Sequence, residues 1–313
     1  MSGAPTLPGT IRVLERGWLS SNNILLRGRN GNALVDTGYA THAPQTLALV
    51  QNALGEQTLD LIVNTHLHSD HCGGNALLQQ HYGTHIAIAA HEADAVRNWD
   101  EDQLSFKATG QTCEPFTFDR TLAPDSAIEL GDLEWRILGA PGHDPHSLML
   151  YCDAHSILVS ADALWENGFG VIFPELTGES GFAEQQAVLE EIARLKPRVI
   201  IPGHGAPFEN TEAALERAFS RLAYLRAEPS RNARHALKVL IVFKLLETRT
   251  LSMVELLAML HDAAIMRVCA ETLIGHALDD DDDVACKALL VSLLADLERG
   301  GALVVEGERI RAA

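Results

Sequence analysis

Apolar residues in the first part of the chain fall into short runs whose spacing switches repeatedly between two and three or four. The β-rich runs "IRVLERGW" (11–18), "NNILLRG" (22–28) and "NALVDTG" (32–38), divided by Gly, Asn and Ser, predict consecutive strands. Leu47, Val50 and Leu54 at helical spacing predict a helix over 43–54. "LDLIVNTH" (59–66) reads as a buried strand, and "NALLQQHYG" (75–83) as a helix closed by Gly83. The scheme then repeats, with strands at 85–89, 127–130, 133–139, 148–152 and 156–160 and helices near 91–98 and 182–195. It ends in a further strand within "PRVIIPGHG" (197–205). Strands mixed with helices in this order predict sheets covered by helices, in an α/β or α+β layered domain.

After a helical stretch at 211–227 the pattern changes. "AEPSRNAR" (227–234) is polar, contains Pro229 and breaks the periodicity, so a boundary is expected there, with domains at 1–228 and 229–313. Beyond it, helical patterns near 235–247, 251–260 and 285–299 precede "GGALVVEGERIRAA", two strand-like runs about a turn. Three helices and a terminal hairpin predict a winged-helix-like module. From Pro229 onward ten Lys and Arg stand against thirteen Asp and Glu, which is not the basic face that DNA binding requires. Packing or dimerisation is the expected role. "DDDDD" (279–283) reads as a solvated acidic loop, with a weak cation site as the alternative.

Composition narrows the class. The chain has 313 residues, 47% of them hydrophobic, ample for a buried core and more than one domain. A formal net charge of −18 argues against a polyanionic partner. No apolar run approaches the ~20 residues of a membrane span. The start "MSGAPTLPGT" lacks the basic and apolar segments of a secretory signal. Cys72, Cys113, Cys152, Cys269 and Cys286 are scattered and without CxxC spacing, which fits a reducing compartment and predicts a soluble, cytoplasmic protein.

The chemistry concentrates in "NTHLHSDHCGGN" (64–75). His66 and His68, two apart on an extended backbone, point the same way, and Asp70 and His71 face the same cavity from the following turn. Imidazole and carboxylate without thiolate suit Zn²⁺, Fe or Mn²⁺ rather than a structural zinc knot. Three more segments run from a strand into a loop with a metal-capable side chain: "ILGAPGHDPHS" with His143, "ILVSAD" with Asp162 and "VIIPGHG" with His204. Five His and two Asp suffice for two metals ~3.5–4 Å apart with a bridging carboxylate. No GxSxG occurs, and Cys72 reads as a small buried side chain rather than a nucleophile.

THxHxDH, a distant GH, an Asp at a strand end and a late GHG together resemble the metallo-β-lactamase-fold hydrolases, over roughly residues 11–227. The resemblance lies closest to the branch that includes glyoxalase II, the lactonases and related thioesterases. It implies an α+β fold, an αββα sandwich with the metals at one edge. It also implies His66, His68 and His143 on one metal, Asp70, His71 and His204 on the other, and Asp162 bridging them. Asp36 of "LVDTG" matches a supporting position near the metals, a strand-terminal turn Asp being the alternative. Two divalent ions, zinc first with iron or manganese as alternatives, make hydroxide available at working pH to attack an ester, thioester or lactone carbonyl. Asp70 then orients the hydroxide and passes a proton to the leaving group.

"ALWENGFGVIFPELTGESG" (163–181) follows the bridging Asp. Its Trp165, Phe169 and Phe173 are expected to form the wall or lid of an apolar acyl pocket, with covering the core as the alternative. "DEDQLSFKATG" (100–110) is the expected opposite wall. The partner is therefore a small-molecule acyl substrate, with no membrane or nucleic acid and the homo-oligomeric state open. The alternative is an endoribonuclease or phosphodiesterase, because relatives of this fold join it to a winged-helix-like tail and cut RNA; the acidic charge stands against it.

Overall fold

The computed structural model describes residues 5–279 and 282–313. A first sheet holds β1 (Ile11–Leu14), β2 (Asn23–Gly28), β3 (Gly31–Val35), β4 (Leu61–Val63), β5 (His85–Ala89) and β6 (Arg120–Leu122), paired in chain order. A second holds β7 (Ala127–Leu130), β8 (Leu133–Gly139), β9 (Leu148–Cys152), β10 (Ile157–Ala161) and β11 (Val199–Pro202), again in chain order from one edge to the other.

Side-chain alternation along the strands decides what each layer touches. Ile24 and Leu26 of β2, Val35 of β3, Ile157 and Val159 of β10 and Ile201 of β11 point into one shared apolar layer, so the two sheets lie face to face. The intervening Leu25 and Leu34 face the opposite way, onto Val50 and Leu54 of α1 (Ala43–Leu54), and Leu78, beyond the short α2 (Ser69–Cys72), joins them from α3 (Asn75–Tyr82). Two short helices, α4 (Ala93–Asn98) and α5 (Phe106–Thr109), complete that side. Leu158 and Ile200 face outward onto Val188 and Ile192 of α6 (Phe182–Leu195) and Leu222 of α7 (Thr211–Ala227). Strands buried on both faces read as continuous apolar runs, as "VIIP" and "ILVSA" do. The result is an αββα arrangement.

The remaining chain forms α8 (Ser230–Thr248), β12 (Thr250–Ser252), α9 (Met253–Asp262), α10 (Ala264–Ile274), α11 (Asp283–Arg299), β13 (Leu303–Glu306) and β14 (Arg309–Ala312). These gather around an apolar cluster of their own, which Val171 and Leu176 of the preceding part also enter. The three strands pair in the order β12-β14-β13, one more than the expected hairpin. A capping box between Ser252 and Glu255 starts α9 where the sequence predicts a helix already under way. Two other expectations change. The helix predicted from 235 begins at Ser230, because the break at Glu228 and Pro229 is a single turn. A fourth helix, α10, occupies a stretch the sequence reading leaves unassigned; its Ile265, Met266, Cys269 and Ala270 pack inward at helical spacing. Of the acidic run, Asp280 and Asp281 lie outside the described residues, while Asp282 precedes α11 without a side-chain cap and Asp283 opens it. No helix among the described residues is long and apolar enough to cross a membrane.

Candidate metal centre

Five strands deliver the chemistry to one edge. β3 and β4 are parallel, and Asp36 follows the first while His66 and His68 follow the second. In the other sheet β8, β10 and β11 run in one direction, and His143, Asp162 and His204 lie in the loops just past their carboxyl ends. Asp70 and His71 sit on α2, the turn directly after His68. All seven converge, in two groups. The ligand atoms of His66, His68 and His143 lie within 4.8 Å of one another, as do those of Asp70, His71, Asp162 and His204. Asp162 faces both groups, with Oδ1 3.5 Å from His71 Nε2 and Oδ2 3.5 Å from His143 Nε2.

Small residues make that approach feasible. A Cβ on Gly203 would overlap the Asp162 carboxylate, and one on Gly170 would overlap the His143 ring. Asp36 holds a left-handed backbone (φ 57°), which turns its carboxylate back toward His71.

Each imidazole is aimed from behind. His71 Nδ1 donates to Asp36 Oδ2 at 2.8 Å, and the same carboxylate accepts from the Thr65 amide (2.9 Å) and hydroxyl (2.8 Å). With its proton so committed, the Thr65 hydroxyl accepts from His66 Nδ1 at 3.1 Å. His143 Nδ1 donates to the Val171 carbonyl, and His68 Nε2 faces Asp144 Oδ2 at 3.6 Å. The Nδ1–H bonds of His66 and His143, whose rings are neutral, leave their other ring nitrogens unprotonated and pointing inward.

The inward atoms then lack partners of their own kind. His66 Nε2, His68 Nδ1 and His143 Nε2 approach to 3.1 and 2.8 Å, three ring nitrogens gathered with at most one proton, on His68 Nδ1, among them. His71 Nε2 is buried without a hydrogen-bond partner among the described residues, with Asp70 Oδ2 3.8 Å away. Buried polar atoms are ordinarily satisfied, so ring nitrogens and carboxylates converging with too few protons to pair them all fit a cation between them.

Electrostatics agrees. Burial, with His71, His68 and His143 alongside, holds His66 well below the ordinary histidine range. Burial likewise brings His68 and His143 down to about 4, so all three rings are neutral near pH 7. Burial alone would raise Asp70 and Asp162, but His71 and His204 outweigh it and both stay ionised, Asp162 far below the usual carboxylate range. Burial would also lower His71; Asp162, Asp36 and Asp70 overcome it and push the ring well above its ordinary value. A proton on His71 thus stands where a cation would otherwise sit.

Around this centre the expected pocket residues divide. Phe173 lines a cleft of about 290 Å³ beside His68, its ring 5.3 Å from that of His68 and 5.5 Å from that of His143. Asp102, Gln103, Leu104, Ser105, Ala108 and Thr109, all within the expected 100–110, line the same cleft. Trp165 lies by the other group, its ring 5.3 Å from His204 and its Nε1 donating to Asp162 Oδ1 at 3.2 Å. Phe169 is a correction: fully buried, it belongs to the core under α7, because the turn at Gly168 (φ 134°) sends its ring inward beneath Arg221.

Sequence reasoning misses five participants. Trp18 stacks on His204 at 5.4 Å while remaining 58% exposed. Asn22 binds the Pro202 and Gly205 carbonyls, and the Ser21 amide binds Asp70 O, so the β1–β2 loop ties two ligand loops together. Asp144 backs His68. Glu92, in the cleft wall, is pushed up to about 8 by burial and by Asp144. Only the position of Asp144, next to a ligand, offers a signal in the sequence.

Comparison with known proteins follows the same lines. The Metallo-beta-lactamase superfamily profile matches residues 16–204. An acyl-coenzyme A thioesterase, MBLAC2 of Gallus gallus, is 26% identical over 224 residues, covering 64% of this chain and 79% of that protein. A hydroxyacylglutathione hydrolase of Rhizobium etli is 26% identical over 216 residues, covering 65% and 75%. Among solved structures, the metallo-beta-lactamase family protein TTHA1429 of Thermus thermophilus superimposes with a TM-score of 0.59 at 22% identity, covering 98% of this chain and 100% of that one. The chain belongs to the metallo-beta-lactamase superfamily and is a metal-dependent hydrolase.

Proposed function

We propose that the chain hydrolyses a small-molecule thioester, with oxygen esters and lactones as the neighbouring classes. The observation that carries this reading is the pair of ligand groups sharing Asp162. In it, His66, His68 and His143 would hold one divalent cation, Asp70, His71 and His204 the other, with Asp162 shared between them; zinc suits the nitrogen-rich donor set, with iron or manganese as substitutes. Two such ions supply Lewis acidity and bring the pKa of water toward neutrality. Asp70, buried and ionised, takes the proton of the attacking water and returns it to the departing thiol. Phe173 and Leu104 cover the acyl group in the cleft beside His68, and Trp165 and Trp18 screen the side toward His204. The thioester is preferred because two relatives are named for thioester hydrolysis. Nucleic acid is disfavoured because charged residues of the cleft wall are Glu92, Asp102, Asp144 and Glu179, with no Lys or Arg among its lining.

In this reading residues 1–228 form the catalytic domain and 229–313 a winged-helix-like domain, supported by the separate apolar cluster and the three-stranded sheet of the latter. Five free cysteines, all buried, support a cytoplasmic setting. Elemental analysis with a panel of acyl-thioesters, p-nitrophenyl esters, homoserine lactones and a short RNA tests the proposal. About two divalent ions per chain and fastest turnover of a thioester are expected; RNA cleavage without ester turnover would overturn it.

A further inference from the structure

A second cavity, of about 310 Å³, lies between α7 and α8, and none of the seven ligands lines it. Its charge is opposite to that of the chain as a whole. Arg231, Arg234 and Lys238, spaced three and four apart, share one face of α8, and Arg221 meets them from α7. The three α8 side chains are each about one third exposed, at 32%, 35% and 28%.

The carboxylates nearby are too few. Asp296 is shared by Arg234 (2.8 Å), Lys238 (2.6 Å) and Arg299, and Glu228 pairs with Arg231 at 2.9 Å. Arg221 has no carboxylate at ion-pair distance among the described residues. Its Nη2 donates to His235 Nε2 at 2.6 Å, a ring that burial, with Arg221 and Lys238 beside it, holds down to about 3 and so neutral. An unpaired, partly buried guanidinium is unfavourable in the free protein and becomes favourable once an anion meets it. Guanidinium forks match phosphoryl oxygens bidentately; Arg231 Cζ lies 3.9 Å from the centroid of the exposed Tyr224 ring at the rim, with Nη1 donating to the Tyr224 carbonyl at 2.8 Å and Nη2 on Glu228.

We propose that this cavity binds a phosphate-bearing small molecule, with Arg221, Arg231, Arg234 and Lys238 around the phosphoryl oxygens. Its volume suits one or two phosphoryl groups. A nucleic-acid backbone would need a basic track leading away from it, and the net charge of −18 gives the rest of the chain the wrong sign.

Calorimetric titration of the full-length, metal-loaded protein with inorganic pyrophosphate, and in a second arm with ADP, tests this at fixed ionic strength. Saturable binding is expected, at least tenfold weaker in R231Q/K238Q, with metal content, ester turnover and unliganded Tm unchanged. Tighter binding of ADP, lost in the same variant, assigns the site to a nucleoside-borne diphosphate, and tighter pyrophosphate binding to the free anion. Should the double variant fail to fold, K238Q alone is expected to weaken binding severalfold. The proposal is overturned by absence of saturable binding, by equal affinity in wild type and the variant, which would move the anion to the metal centre, or by a short RNA that binds tighter than either probe and is lost with R231Q/K238Q.

Discussion

The two ligand groups stand side by side yet are built on different principles. His66, His68 and His143 present three neutral rings, so that group offers lone pairs and no charge beyond the shared Asp162. Asp70, His71, Asp162 and His204 include two ionised carboxylates, and the Asp36 side chain lies behind His71. A cation entering the first group meets pure donor geometry; one entering the second also neutralises buried negative charge and displaces the His71 proton. Two adjacent sites in one pocket therefore differ in what governs their affinity, alignment in one and charge in the other.

The sharpest way to break that contrast is to remove what the groups share. Asp162→Ala is expected to lose at least one metal and to lower kcat/KM by on the order of 10³ or more; unchanged metal content by elemental analysis would deny Asp162 its place between them. Next in size is Asp36→Asn, which leaves His71 without its carboxylate partner. It should weaken the carboxylate-bearing group by ~10–100-fold, as loss of a partner behind a ligand typically does. Cobalt substitution should show one perturbed and one intact chromophore, and equal loss at both groups would erase the distinction.

A pH series sharpens the same point. The folded-state pKa of His71 lies above its unfolded value, so its proton stabilises the metal-free protein below the unfolded pKa and is lost as pH rises through the folded value. Metal uptake by the second group should therefore tighten with rising pH and release about one proton. With His68 and His143 at about 4, uptake by the first group should be flat above ~pH 5.5. Competitive titration at several pH values, in buffers of different ionisation enthalpy, reads both trends. Asp144→Asn should have a smaller effect, about tenfold on the first group alone, since its carboxylate stands 3.6 Å from His68. Smallest for the metals is Trp165→Ala, expected to leave metal content unchanged while altering the ratio of turnover between short and long acyl chains; equal loss with every substrate would make the side chain structural.

What the sequence discloses follows from distance along the chain. The seven metal-capable side chains are legible because they lie in the loops, or on the short α2, that directly follow β-rich runs. Asp36 is legible for the same reason. Trp18 and Asn22 are not, because the contacts that tie them to the His204 loop reach 180 or more positions along the chain, to residues 202–205, and nothing in "RGWLSSNN" marks that pairing. Phe169 shows the opposite failure. An aromatic in a glycine-rich loop beside a ligand suggests a pocket wall, but the backbone turn at Gly168, invisible in the sequence, decides which way the ring goes. In the C-terminal part, α10 carries a readable helical spacing at residues 265–270, yet it follows α9 with Ala263 alone between them, so no Gly or Pro punctuates the pair.

The stretch from Val171 to Leu176 serves two masters. Its Val171 carbonyl receives the His143 proton, while its apolar side chains enter the cluster built by α8 to α11, and the buried Asn232 of α8 grips the Ile172 carbonyl at 2.8 Å. Grafting the N-terminal part onto a foreign tail, or trimming it free, would thus set loose an imidazole that must reach its group from the opposite sheet, and any such chimera would have to rebuild this hinge of contacts before it could gather its first metal ion.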